Sequence, residues 1–111
     1  YETDGHYERA IDRALASAPS DAFSIGLCHR PSGFPALAAR SVDLTLAGHT
    51  HGAQVGVGER SILERAAPEG RLWGRYALGK RQLYTSSGAG HWFAFRLNCP
   101  SEAAIVTLER A

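Results

Sequence analysis

Methionine is absent from all 111 residues, and cysteine occurs only twice, at Cys28 and Cys99. With Tyr1 as the first residue, the missing methionine leads to the expectation that the chain is a fragment or processed piece. Two cysteines so far apart make neither a disulfide framework nor a CxxC pair, so the redox compartment stays open. No stretch approaches the roughly 18 consecutive apolar residues of a membrane-spanning helix, and no signal-peptide pattern opens the chain. Charge of one sign is also lacking: the net charge of +1 gives no argument for a nucleic-acid partner or an acidic membrane surface. These absences leave localisation undetermined, cytoplasmic or membrane-associated. Hydrophobic content of 44% and charged content of 21% are those of a globular protein, and the length is at most one domain's worth.

What the chain does have is a histidine cluster. Residues 48–54 read GHTHGAQ, and His49 and His51 would point the same way in an extended backbone, where side chains alternate faces. Neutral imidazoles in such a pair suit a divalent transition metal. His29 lies upstream, at the end of an apolar run over residues 23–28 (FSIGLC). A second run, residues 43–47 (DLTLA), leads into the histidine loop, and both have strand composition. Between them lie a turn (31–35) and a short helix-prone stretch (36–40). Strand, helix and strand at this spacing make a βαβ unit with parallel strands. His29 and Gly48-His49 then fall at carboxyl ends, the edge where open α/β sheets bind ligands. Adjacent strands about 4.8 Å apart would let His29 and His49 share an ion, with His51 reaching the same cavity.

The rest of the chain frames this unit. Tyr7, Ala10, Ile11, Ala14, Leu15 and Ala18 make one apolar helical stripe, with Asp4 as N-cap and Pro19 as stop. Residues 59–75 read as a long polar connection with one helical turn around 62–66. Residues 82–86, 93–97 and 103–108 read as strands, the last two separated by a turn at 98–100. The fold class expected is mixed α/β.

Several side chains admit two readings. His91, in a second glycine-rich loop, is either a substrate-side contact or a structural or exposed residue. Arg30 either steers an anionic substrate or is a solvated loop arginine. Cys28 is a ligand or, as is commoner for a free cysteine, a small buried hydrophobe. His6 reads as a surface residue, and Trp73 and Tyr76 as packing residues.

The order of Cys28-His29-Arg30-Pro31, Val42-Asp43-Leu44, GHTHGAQ at 48–54, QLYTSSGAG at 82–90 and RLNCPSE at 96–102 resembles the C-terminal half of calcineurin-like metallophosphoesterases. It looks most like the bacterial phosphodiesterase-type subgroup. The resemblance implies that residues 1–111 are the C-terminal portion of one four-layer αββα sandwich domain. It implies a phosphoester substrate, a diester in that subgroup, and two divalent ions (Mn, Fe, Zn or similar) bridged by a hydroxide that attacks phosphorus. His29 and His49 match the histidines of one metal, and His51 that of the other. Arg30, Ser32-Gly33 and Ala53 depart from the family pattern, near the site but not at its ligands. The family's DxH, GDxxD and GNH(D/E) segments are not found between Tyr1 and Asp21. Three ligands are too few for two ions, so the chain alone is expected to bind metal weakly and to lack most activity. The face of Ile25, Leu27, Leu44 and Leu46 is expected to miss part of its cover. Two other readings stand beside this one: a non-catalytic metal-binding module, and a mononuclear zinc hydrolase using the three histidines and a water.

Overall fold

Tyr7, Ile11 and Leu15 recur four residues apart and form the inward stripe of helix α1 (His6–Leu15), which packs on Leu37 and Val42. The computed structural model describes residues 5–67 and 70–110; Asp4, expected as the cap of this helix, lies outside them. Gly5 takes the capping position in a left-handed conformation (φ 83°).

The predicted βαβ unit is present. Strand β1 (Ile25–Cys28) runs parallel to β2 (Leu44–Ala47), with Ile25 opposite Leu44 and Cys28 opposite Ala47. The crossover carries a 3-10 turn (Pro31–Gly33) and helix α2 (Phe34–Ala39). Pro35 sits in the first turn of α2, where its missing N–H costs no helical bond, and this starts the helix ahead of the predicted stretch. Phe34 is fully buried against Ala47 and Leu83 and forms the centre of a second apolar cluster.

Strands β3 (Gly56–Val57) and β4 (Arg60–Ser61) make a small antiparallel pair. Strands β5 (Gly74–Leu78) and β6 (Arg81–Thr85) form a hairpin that completes the main sheet in the order β1-β2-β6-β5. β6 is parallel to β2, so the sheet is parallel at its centre with one antiparallel edge. β5 falls partly inside the stretch read as a polar connection. Its turn is Gly79-Lys80, with Gly79 at φ 59°, a two-residue hairpin geometry.

Two expected strands are absent. Residues 93–97 make strand-type pairing only in one parallel bridge, Val55 to Leu97, and residues 101–110 form no ladder among the described residues. Alternating Phe93, Phe95 and Leu97 have the period of a strand, but a period specifies faces and supplies no partner. The helices cover one face of the sheet. On the other, Ile25 and Leu27 are exposed (49% and 82%), as expected for a face lacking cover, whereas Leu44 is buried. Leu44 borders a cleft that the segment 104–109 also lines.

Candidate functional site

The parallel register carries past the strands. Gly48 N–H donates to the His29 carbonyl (3.2 Å), so the two loops leave the sheet side by side at its carboxyl edge. The His29 and His49 rings lie 4.7 Å apart, tilted by 50°.

The loop itself departs from the extended geometry expected of it. His49 has φ 71°, and His51, Gly52, Ala53 and Gln54 all have φ between 52° and 60°. Such a left-handed run costs about 1–2 kcal/mol for each non-glycine residue and persists only where surrounding contacts impose it. Glycine is required at position 52, where an added Cβ would stand 2.5 Å from Cys99 Sγ. Because the backbone coils instead of extending, the two imidazoles separate. His49 turns to His29, while His51 stacks on Trp92, ring centroids 4.8 Å apart and planes 14° apart. Trp92 also meets His49 edge-on at 6.5 Å. Among the described residues, no three His, Cys, Asp or Glu side chains are grouped to hold a metal ion. The arrangement is a histidine pair, with a third histidine one indole away.

Two residues hold Trp92 and the loops around it, and the sequence reading gave neither a role. Gln54 is fully buried; its Nε2 donates to the Phe93 carbonyl (2.9 Å) and to that of Phe95, and its Oε1 accepts from Trp92 N–H (2.5 Å). The glutamine closing the GHTHGAQ motif thus pins the segment that carries the indole. Arg96 is a second fastening point. Its Nη1 donates to the carbonyls of Cys99 (2.9 Å) and Pro100 (3.2 Å), and its Nη2 to those of Ser87 (3.0 Å), Gly88 (3.4 Å) and Gly90. Both residues stand inside the motif strings that carry the family resemblance, but their partners are backbone atoms that no residue pattern reveals.

His51 is electrostatically prepared for the neutral state. Burial pushes its pKa below the usual histidine value, and the nearby Arg96, His49 and His91 add to the effect. Its Nδ1 is buried without a hydrogen-bond partner. A neutral imidazole with an unsatisfied ring nitrogen is the form that ligates a transition metal. His91 is exposed in the loop before Trp92. Arg30 borders the same cavity as His49 and Trp92, and its carbonyl accepts from the Cys28 thiol (3.1 Å). Cys28 also packs beside the α1–α2 cluster, the behaviour of a small hydrophobe.

An uncharacterized metallophosphoesterase of Helicobacter pylori strain J99 is 40% identical over 101 residues, which is 88% of this chain and 26% of that protein. A second, from Campylobacter jejuni, is 35% identical over 107 residues, 95% of this chain and 28% of its own length. The resemblance to metallophosphoesterases holds along almost the whole chain. Phosphodiesterase YaeI of Escherichia coli K12 is 36% identical over 85 residues, 74% of this chain and 31% of that protein. The chain therefore spans about a quarter to a third of the length of these metallophosphoesterase relatives. No family model matches it, and no solved structure does. The mixed sheet with helices on one face is consistent with part of a metallophosphoesterase fold. No helix among the described residues is long and apolar enough to cross a membrane.

Proposed function

We propose that this chain is the C-terminal portion of a metal-dependent phosphoester hydrolase, of phosphodiesterase type, and that His29, His49 and His51 are part of its metal-binding set. The observation that carries the reading is the His29–His49 pair at the carboxyl ends of two adjacent parallel strands. The orphaned Nδ1 of His51 supports it. The residues fit part of such a site: three nitrogen donors, one of them biased toward neutrality by burial and by Arg96. They do not by themselves make up the donors of two ions, and the remainder is assigned to the part of the domain that precedes these residues.

Two divalent ions, when bound, would activate water for attack on phosphorus and neutralise charge on the phosphoryl oxygens. The chain's own residues perform the supporting work. Gly48 and the β1–β2 register set the spacing of His29 and His49, Gln54 fastens the segment whose Trp92 ring lies against His51, and Arg30 adds positive charge near His49. His91, exposed one residue before Trp92, is assigned to the substrate side.

The test joins this chain to the N-terminal portion of one of its relatives and measures bound metal and hydrolysis of bis(p-nitrophenyl) phosphate. His29→Ala and His49→Ala should each weaken metal binding by about 10-fold or more, with metal-dependent turnover falling in step. Unchanged metal content in both variants would overturn the assignment of these ligands. One zinc per chain with full activity would favour a mononuclear hydrolase.

A further inference from the structure

A cavity of about 380 Å³ opens beside His49 and is walled by Ala53, Leu63, Ala67, Leu72 and Trp92. Its size falls in the range of small-molecule sites. Thr50 also borders it, but the Thr50 hydroxyl is donated to the Leu72 carbonyl (2.6 Å), so that wall offers little polarity. Among the described residues, the charged or titratable groups lining it are His49 and Arg30. Leu63 and Trp92 are 47% and 56% exposed, large apolar side chains standing in water at the site's border.

We propose that this cavity seats an apolar ester substituent of the substrate, with the phosphoryl group held toward His49 and Arg30. The inference rests on the phosphoester chemistry assigned above to the histidine pair, and it names the substrate class: phosphoesters carrying an alkyl or aryl group. Three features select that occupant. The cavity adjoins His49, so a group inside it is covalently within reach of a phosphoryl at the histidines. Arg30 complements the anionic end. The apolar walls favour a hydrocarbon over a sugar or a charged group, which would leave polar atoms unpaired there.

Trp92 is the best-placed wall residue. Its backbone N–H is held by Gln54 and its indole lies against His51, so it presents a flat surface for an alkyl chain or a ring to lie against. Leu63 stands on the other segment, in the turns between β4 and β5, and belongs to no part of the histidine loop.

The experiment measures binding separately from turnover. Titration calorimetry on the gene product carrying this chain, loaded with Mn2+, compares methyl, hexyl and phenyl phosphate. Hexyl phosphate should bind at least about 10-fold more tightly than methyl phosphate, each methylene that enters the cavity contributing about fourfold. Phenyl phosphate distinguishes an aryl from an alkyl preference. Leu63→Asn should remove most of the advantage and Leu63→Met should keep it, a contrast that a folding defect would not give. Equal affinity for the three esters, or a preference that Leu63→Asn leaves intact, would overturn the proposal. A preference that is present and lost in Leu63→Asn, in a protein that never hydrolyses bis(p-nitrophenyl) phosphate with metal, would uphold the cavity and overturn the hydrolase reading instead.

Discussion

His51 lies flat against Trp92, its ring centroid 4.8 Å from the indole and its Nδ1 buried without a partner. This contact makes the protonation of one residue visible in the other.

Protonated imidazoles quench indole emission, so Trp92 fluorescence should report the titration of His51. In the metal-free protein with Trp73→Phe, emission should drop as pH falls, with a midpoint below the ordinary histidine value of 6.5, because burial and then Arg96 disfavour the charged form. The folded pKa is depressed, so the unfolded chain takes up this proton first. The associated stability is present above pH 6.5 and lost as pH falls through the folded value. A midpoint above 6.5 would contradict the site's electrostatics.

Gln54→Ala would leave the Phe93 and Phe95 carbonyls and the Trp92 N–H without their shared partner. Unsatisfied buried groups cost about 1–3 kcal/mol each, and part of that is recovered where water enters. A total loss of about 2–4 kcal/mol is expected in urea unfolding. Trp92 emission should shift toward that of solvated indole.

Ala53 occupies a left-handed conformation (φ 53°) that an L side chain disfavours. Ala53→Gly should therefore stabilise the protein by about 1 kcal/mol, measured as a higher urea midpoint at unchanged slope. A destabilised variant would mean that the Ala53 methyl contributes more through packing than its backbone costs.

Tyr84 donates its hydroxyl to Glu102 (2.7 Å), and burial, followed by that carboxylate, pushes its pKa up to about 12. A raised folded value means the contribution is whole below the ordinary tyrosine value of 10.0 and is lost as pH climbs from there toward about 12. Burial also raises Tyr76, so absorbance at the tyrosinate band should show tyrosines titrating late in the native protein, Tyr84 among them. Tyr84→Phe should remove one tyrosine's share of that late absorbance and lessen the alkaline loss of stability.

Ile25 and Leu27 face outward from a strand whose outer edge has no neighbour among the described residues. Expressed alone, residues 1–111 should aggregate; joined to the N-terminal portion of a relative, they should unfold cooperatively at a higher temperature. Sedimentation and calorimetry of both forms decide it. A soluble monomer with a cooperative transition from the chain alone would defeat this expectation.

The parts of the fold that could be read from the sequence are those whose residues agree with their surroundings at every level. The runs at 25–28 and 44–47 are apolar, short and joined by a proline-started helix, and they pair in the expected parallel register. Strand β5 was hidden because Gly74 and Arg75 belong to an edge strand, where burial imposes little pattern. Residues 93–97 misled for the opposite reason. They have a strand's alternation, yet the Phe93 and Phe95 carbonyls are taken by one glutamine amide, a side chain standing where a neighbouring strand was expected. At the site, the residue types were legible and their directions were not. Nothing in the composition of GHTHGAQ announces positive φ at His49, His51, Ala53 and Gln54, and that coiling sends His51 toward Trp92.

The same coil sets an order of events. A turn that L residues resist has little chance of forming from local preference, and its stabilising partners are distant in sequence: residues 92–95 through Gln54, and Cys99, whose thiol donates to the His51 carbonyl (3.5 Å). Those partners arrive only when the last fifth of the chain has docked, so the histidines take their final directions late in folding. If the histidines hold metal as proposed, capture would follow this docking instead of templating it, and a chain lacking residues 92–99 would have no finished site to load.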